Sequence, residues 1–565
     1  MSRWNDPLAR WRGRSPKLTD PPAGLADALT VLDVDATPDT LLAAAESLTL
    51  AGIVCTVGLT IVAPQPLRPL VIAVGGAGSL GVGWVLARGP LVVAAVRRRR
   101  AIGTAPWLVC LAAMRLQVTP TAEAAAAFAA RDDRLLSRRL AVHVRRARGR
   151  AASGFEGFRA EWCDQFPPLD RSVAALQTAA VAPPEDRDAA IARALETILD
   201  GVRARAADDA AALQGPVTAL YAFGVLLPLA LVAALPAAAV AGLPVTTTTL
   251  VVGYDLLLPT GLLVASLTLA ARRPVTFPAE PVPRDHPDVS ARRWPPLVAG
   301  SLAGVLAGAI AYALVDPWAG PVATLGGGLG VGLVTRYRHE RRVRDRVTEV
   351  ETALSTVLTR VGRAVADGAP VERTLEPVAE SISGPAGEPV AAAVGRMDRL
   401  GVGVEAAFLG EYGALTTVPS PRAVGTARLL AAAAREGRPA GAALVAAGDH
   451  LAALRRVERE TTRELGRLTR TLGNTAAVFG PLVGGVTVAL AGRMHGSELG
   501  QGISVAVLGP VVGWYVLVLA VVLTALATGL ERGFDRALVG YRSGLALLAA
   551  SSTYLLAVHA ARLVT

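Results

Sequence analysis

The sequence predicts an all-α, polytopic membrane protein with about nine transmembrane helices and two duplicated cytoplasmic helical-bundle domains. Three observations carry this. First, 52% of the 565 residues are hydrophobic and 18% are charged, and the charges are segregated from long apolar blocks, as a soluble chain would not do. Second, strand signals are nearly absent, while Ala, Arg, Leu and Glu dominate the polar stretches. Third, the chain is written twice. Leu80-Gly81-Val82-Gly83 recurs as Leu329-Gly330-Val331-Gly332 at an offset of 249, and Ala222-Phe223-Gly224 recurs as Val478-Phe479-Gly480 at 256. A repeat of this length indicates duplication of one unit.

The elements follow in order. Residues 1–45 form a polar, Arg-rich amino-terminal segment with no cleavable signal. A membrane helix needs about 20 apolar residues, and nine stretches qualify: 46–63, 70–95, 216–238, 247–271, 295–315, 318–335, 473–492, 503–529 and 543–562. They group as a first pair (46–95), a second (216–271), a third (295–335), a fourth (473–529) and an unpaired terminal helix (543–562). Between the pairs lie two long polar domains, 97–213 and 336–472. The runs Ile191 to Leu213 and Ala440 to Leu472 repeat at helical spacing, and the latter leads almost directly into the next span. Residues 272–294 form a Pro-rich linker between the halves.

Orientation follows from the arginines. With the amino terminus inside, all but four of the 57 basic residues fall in cytoplasmic segments; the exceptions are Arg68, Arg88, Arg493 and Arg562. The expected topology is a multi-pass cell-membrane protein with the amino terminus and both large loops cytoplasmic and the carboxyl terminus outside. Four spans per half make the repeats parallel rather than inverted.

The chemistry-bearing motifs are sparse. Gly76-Ala77-Gly78-Ser79-Leu80-Gly81 matches GxGxxG, but no strand precedes it and no acidic residue follows at the required distance. Those glycines read as sites of close helix packing. A phosphate-binding P-loop needs a lysine, and the single lysine, Lys17, is not in one. His143, His286, His339, His450, His495 and His559 are scattered, the three cysteines (Cys55, Cys110, Cys163) form no CxxC, and no GxSxG elbow occurs. No catalytic, cofactor or metal site is expected. Asp255 is the one ionisable residue well inside a span, a functional suspect by position, though one such group is fewer than an ion-coupled transporter would carry. The arginine clusters are explained in part by the positive-inside rule and in part by contact with an acidic partner surface; nucleic acid is not an expected partner.

This layout resembles the type II secretion system F-domain family, and most of all the archaeal membrane platform proteins of type IV pili and the archaellum. The first copy of the domain resembles the family's over Thr104-Ala105-Pro106-Trp107-Leu108 through Thr119-Pro120-Thr121-Ala122-Glu123-Ala124. The other copy resembles it over Leu354-Ser355-Thr356-Val357-Leu358 through Gly368-Ala369-Pro370-Val371-Glu372-Arg373-Thr374-Leu375, with Pro120 and Pro370 at an offset of 250. Each copy then ends in a charged helix entering a Gly/Pro-containing span, at Leu226-Leu227-Pro228-Leu229 and at Phe479-Gly480-Pro481-Leu482. Val118-Thr119 stands where the family's turn has glycine.

The resemblance implies a non-enzymatic scaffold that couples a cytoplasmic hexameric ATPase to extraction and polymerisation of pilin or archaellin subunits, embedded among membrane lipids as a homo-oligomer, a dimer or trimer. Arg341, Arg342, Arg455, Arg456 and Arg459, clustered near a helix entering the membrane, are the expected ATPase-docking residues. The alternative is a transporter or permease built from parallel repeats.

Overall fold

The computed structural model describes residues 22, 24–32, 34, 36–65, 68–149, 152–240, 246–272, 282–283, 286–289, 294–495 and 504–563, and among these there is no strand. Most of the amino-terminal segment and of the 272–294 linker lies outside the described residues. The chain opens with α1 (Leu25–Leu32) and α2 (Pro38–Val62). Thr37 caps α2 by accepting from the Thr40 amide, and Pro38 fits the first turn. Helix α3 (Arg68–Ile102) folds back along α2. A methyl group at Gly52, Gly75 or Gly83 would collide with Ser79, Thr56 or Thr49 across this hairpin. Gly76, Gly78 and Gly81, expected to be the packing glycines, instead face open space. The close approach uses their neighbours, because only one face of α3 meets α2.

The first polar segment holds α4 (Ala105–Val118), α5 (Ala122–Ala129), α6 (Leu135–Ala147), α7 (Phe155–Trp162), α8 (Pro167–Val181) and α9 (Pro184–Tyr221). A π-helical turn, Ala222–Leu226, joins α9 to α10 (Leu227–Val240). Next come α11 (Thr247–Leu250), a second π segment (Val251–Leu257) and α12 (Leu258–Ala271).

The second half opens with α13 (Trp294–Leu314) and the 48-residue α14 (Ala319–Ala366). Helix α14 runs unbroken where the first half divides into α3 and α4 at Gly103–Thr104. The polar segment continues through α15 (Val371–Ser381), α16 (Glu388–Leu400), α17 (Val404–Leu409), α18 (Pro421–Glu436) and α19 (Pro439–Asn474). A third π turn, Thr475–Phe479, leads to α20 (Gly480–His495), then α21 (Val505–Arg532) and α22 (Arg536–Leu563).

Eight helices among the described residues are long and apolar enough to cross a membrane: Pro38–Val62, Gly78–Val118, Pro184–Ala234, Thr247–Ala270, Trp294–Leu314, Ala440–Arg493, Val505–Arg532 and Arg536–Leu563. They mark a multi-pass membrane protein. The expected span at 318–335 is not among the eight. It forms the start of α14, where Gly320, Gly326, Gly327, Gly328, Gly330 and Gly332 dilute its apolarity. The same glycines pack it tightly. A Cβ at Gly300 would lie 2.7 Å from the Gly328 carbonyl, and one at Gly304 would lie 2.8 Å from the Thr324 carbonyl, while Gly330 is closed off by Leu548 of α22.

Two large buried cores result. One gathers the end of α9, α10 to α12, the start of α14 and α19 to α22. The other gathers α4 to α9 together with α14 to α19, so both polar segments contribute to a single core. Contacts at the helix ends sort the turns into two sets. Arg99 donates to the Arg272 carbonyl at 2.7 Å, and Arg344 pairs with Asp535. At the other end of α22, Arg562 pairs with Asp316 at 2.8 Å.

Candidate functional site

The polar segments meet along α4, α18 and α19. Gly425 of α18 sits against the Trp107 ring of α4 so closely that no side chain fits there. His450 Nε2 lies 3.2 Å from the Pro106 carbonyl, Arg115 pairs with Glu436, and Arg428 donates to the Arg131 carbonyl at 3.0 Å. Beside this seam lies an ionic network. Glu351 of α14 accepts from Ser420 Oγ at 2.7 Å, from Arg455 at 3.0 Å and from Arg422 at 3.4 Å. Arg422 also pairs with Glu458 of α19. Burial alone would lower the pKa of Arg422, but Glu458 and Glu351 outweigh it and hold the guanidinium above its ordinary range.

The five arginines expected to dock a partner separate into different environments. Arg455 is only 8% exposed and is committed to Glu351 and to Thr352 Oγ1, 2.6 Å away. It is a strut of the bundle rather than a docking residue, because it lies on the α19 face that packs against α14. Arg342, Arg456 and Arg459 are exposed. Arg341 is half-buried, stacked 4.4 Å over the Tyr541 ring and 3.5 Å from Asp345. Helices α14 and α19 run antiparallel, with Glu351 level with Arg455 and Gly362 level with Gly441. Arg341 and Arg342 therefore lie about 14 Å along α14 from the Arg455 level, and Arg459 stands between the two levels, about 6 Å from Arg455.

A second constellation lies in the apolar layer. All three π segments among the described residues end two residues before a proline: Leu226 before Pro228, Leu257 before Pro259, Phe479 before Pro481. Proline lacks an N–H and clashes with the carbonyl four residues earlier, and a π turn absorbs both faults. For Pro228 that carbonyl belongs to Gly224, and Tyr515 Oη of α21 donates to it at 2.9 Å. Tyr254 Oη donates to the Pro228 carbonyl at 3.1 Å, and the Tyr254 and Tyr515 rings meet edge to face at 5.8 Å. Asp255, within the second π segment, keeps one carboxylate oxygen buried without a hydrogen-bond partner among the described residues. An unsatisfied carboxylate oxygen at such a place is costly.

Among the described residues, no group of three or more His, Cys, Asp or Glu side chains is placed to hold a metal ion. The prolines in the spans were the available sequence signal for the π turns. The pairing of Tyr515 with Gly224, 291 positions apart, had none. No family model, no curated protein and no solved structure matches this chain.

Proposed function

We propose that this chain is a membrane platform of a filament-assembly or secretion machine, of the type II secretion F-domain kind, that docks a cytoplasmic hexameric ATPase and handles pilin-like subunits in the bilayer. The observation that carries the reading is mechanical. Helix α14 runs without interruption from the apolar layer into one polar bundle built by both halves, and α19 leaves the same bundle to enter its span through the π turn Thr475–Phe479. A 48-residue helix is about 72 Å long, enough to cross a bilayer and extend a comparable distance beyond it. A push on the bundle would therefore reach the spans through stiff rods. The order of elements in the two halves supports the duplicated-bundle reading, with π turns at 222–226 and 475–479 each entering a proline-bearing span.

In this proposal the bundle faces the cytoplasm, as its arginine content favours, and Arg342, Arg456 and Arg459, flanked by Arg341, contact the motor. Reversing Arg342, Arg456 and Arg459 to Glu should abolish co-purification of the ATPase and surface filaments while leaving the protein in the membrane. Normal filaments in that variant would refute the reading. The alternative, a parallel-repeat transporter, rests on the unpartnered oxygen of Asp255. It requires Asp255→Asn to abolish solute flux, whereas a platform would retain filament assembly.

A further inference from the structure

The α2/α3 hairpin carries a groove of about 590 Å³ on its open side, within the roughly 300–1,000 Å³ range of sites for small ligands. Its walls are the exposed side chains of Ile53, Val57, Ile61 and Ile72, and its floor is Gly76. Gly76 has nothing within 4 Å of where a Cβ would stand, so the missing side chain keeps the groove open. Two hydroxyls line it, yet neither faces it as a free polar group. Thr56 Oγ1 donates to the Gly52 carbonyl and Thr60 Oγ1 to the Thr56 carbonyl, each at 2.7 Å. The lining is in effect hydrocarbon.

One charge stands in it. Arg68, at the start of α3 beside the hairpin turn, contributes to the groove and spends its Nε on the Ala63 carbonyl at 3.2 Å. Among the described residues, no carboxylate pairs with it. The distance from Arg68 to the Gly76 level is eight residues, about 12 Å along a helix. The hydrocarbon of one leaflet is about half of the 30 Å core. A cation at the mouth and an apolar channel nearly one leaflet deep match one amphiphile: an anionic headgroup with an acyl chain.

We propose that the α2/α3 groove is a binding site for an anionic phospholipid, with one acyl chain along Ile53, Val57 and Ile72 and the headgroup phosphate on the free Nη atoms of Arg68. A guanidinium–phosphate contact is charge-assisted; a zwitterionic lipid offers the same phosphate but brings a cation of its own beside Arg68, so the charge at the mouth favours the headgroup that is negative overall. The site is independent of the platform reading.

The test is native mass spectrometry of the full-length protein in detergent, titrated with phosphatidylglycerol or with phosphatidylcholine of the same acyl chains. The wild type should bind one phosphatidylglycerol roughly tenfold more tightly than phosphatidylcholine, because the choline cation repels the Arg68 guanidinium and the glycerol headgroup does not. Arg68→Gln should erase that preference and Arg68→Lys should keep most of it. Gly76→Phe should weaken both lipids by filling the channel, and Ile72→Trp provides the same block from the wall. Equal binding of the two lipids by the wild type would overturn the proposal. So would a preference that survives Arg68→Gln, or a lipid-free dimer through this hairpin.

Discussion

The hydroxyl of Tyr515 donates to the carbonyl of Gly224 at 2.9 Å, so a residue of the second half closes a backbone gap that Pro228 opens in the first. Tyr254 seals the next turn by donating to Pro228 itself. The halves are thus tied together inside the apolar layer as well as in the polar bundle. This makes the π turn of α9–α10 a joint between them.

Tyr515→Phe should destabilise the protein by about 1–3 kcal/mol, the cost of a buried carbonyl losing its donor. Pro228→Ala restores an N–H for Gly224 within the helix. In that background the same Tyr515 substitution should cost much less. Thermal unfolding of the four proteins in detergent gives the coupling directly.

The ionic network predicts a different pattern. Arg422→Met leaves Glu351 and Glu458 beside it with less positive charge, and removing one partner of such a network costs about 3–5 kcal/mol. Replacing Glu351, Arg422, Arg455 and Glu458 together by apolar residues of similar volume should recover most of the loss. Resistance of the bundle to protease at rising temperature distinguishes the two cases.

Asp132 provides a pH dependence. Burial raises its carboxyl pKa and Arg134, 3.7 Å away, offsets this only in part. A carboxyl raised in the folded state is a penalty when ionised, present above the folded pKa and relieved as pH falls through it. Asp132→Asn should therefore raise the melting temperature at neutral pH. The gain should shrink as pH falls toward the ordinary carboxylate range near about 4, as melts over that interval would record.

In the membrane layer, Gly304→Leu should be far more disruptive than Ile310→Leu on the same helix. A side chain at 304 meets the Thr324 carbonyl at 2.8 Å and the Gly328 Cα at 3.1 Å, both backbone atoms that cannot step aside. Cysteine cross-linking across the α13/α14 hairpin should fail in the first variant and survive in the second.

Much of the fold was legible because apolar runs and arginine borders are local signals. The helical class followed from composition, and eight of the nine expected spans correspond to helices of sufficient length and apolarity. The stretch 318–335 differs because its glycines lower its hydropathy while serving the packing of α14 against α13 and α22. The prolines that set the π turns were visible at matching places in both halves. The merging of the two polar segments into one core was not legible, since Gly425 against Trp107 is a contact between remote residues. Nor was the burial of Arg455. Its periodicity matches its exposed neighbours Arg456 and Arg459, and only the position of Glu351 on α14 draws it inward.

The shared bundle is the proposed docking face for a cytoplasmic ATPase. The direct measurement places a photo-cross-linker at position 459, on the exposed face of α19, in living cells and identifies the adduct by mass spectrometry. A cross-link to an ATPase encoded with the filament machinery is expected, lost when Arg342 and Arg456 are reversed to Glu. Labelling of a cysteine at 459 by a membrane-impermeant reagent in intact cells, with no ATPase adduct, would contradict it.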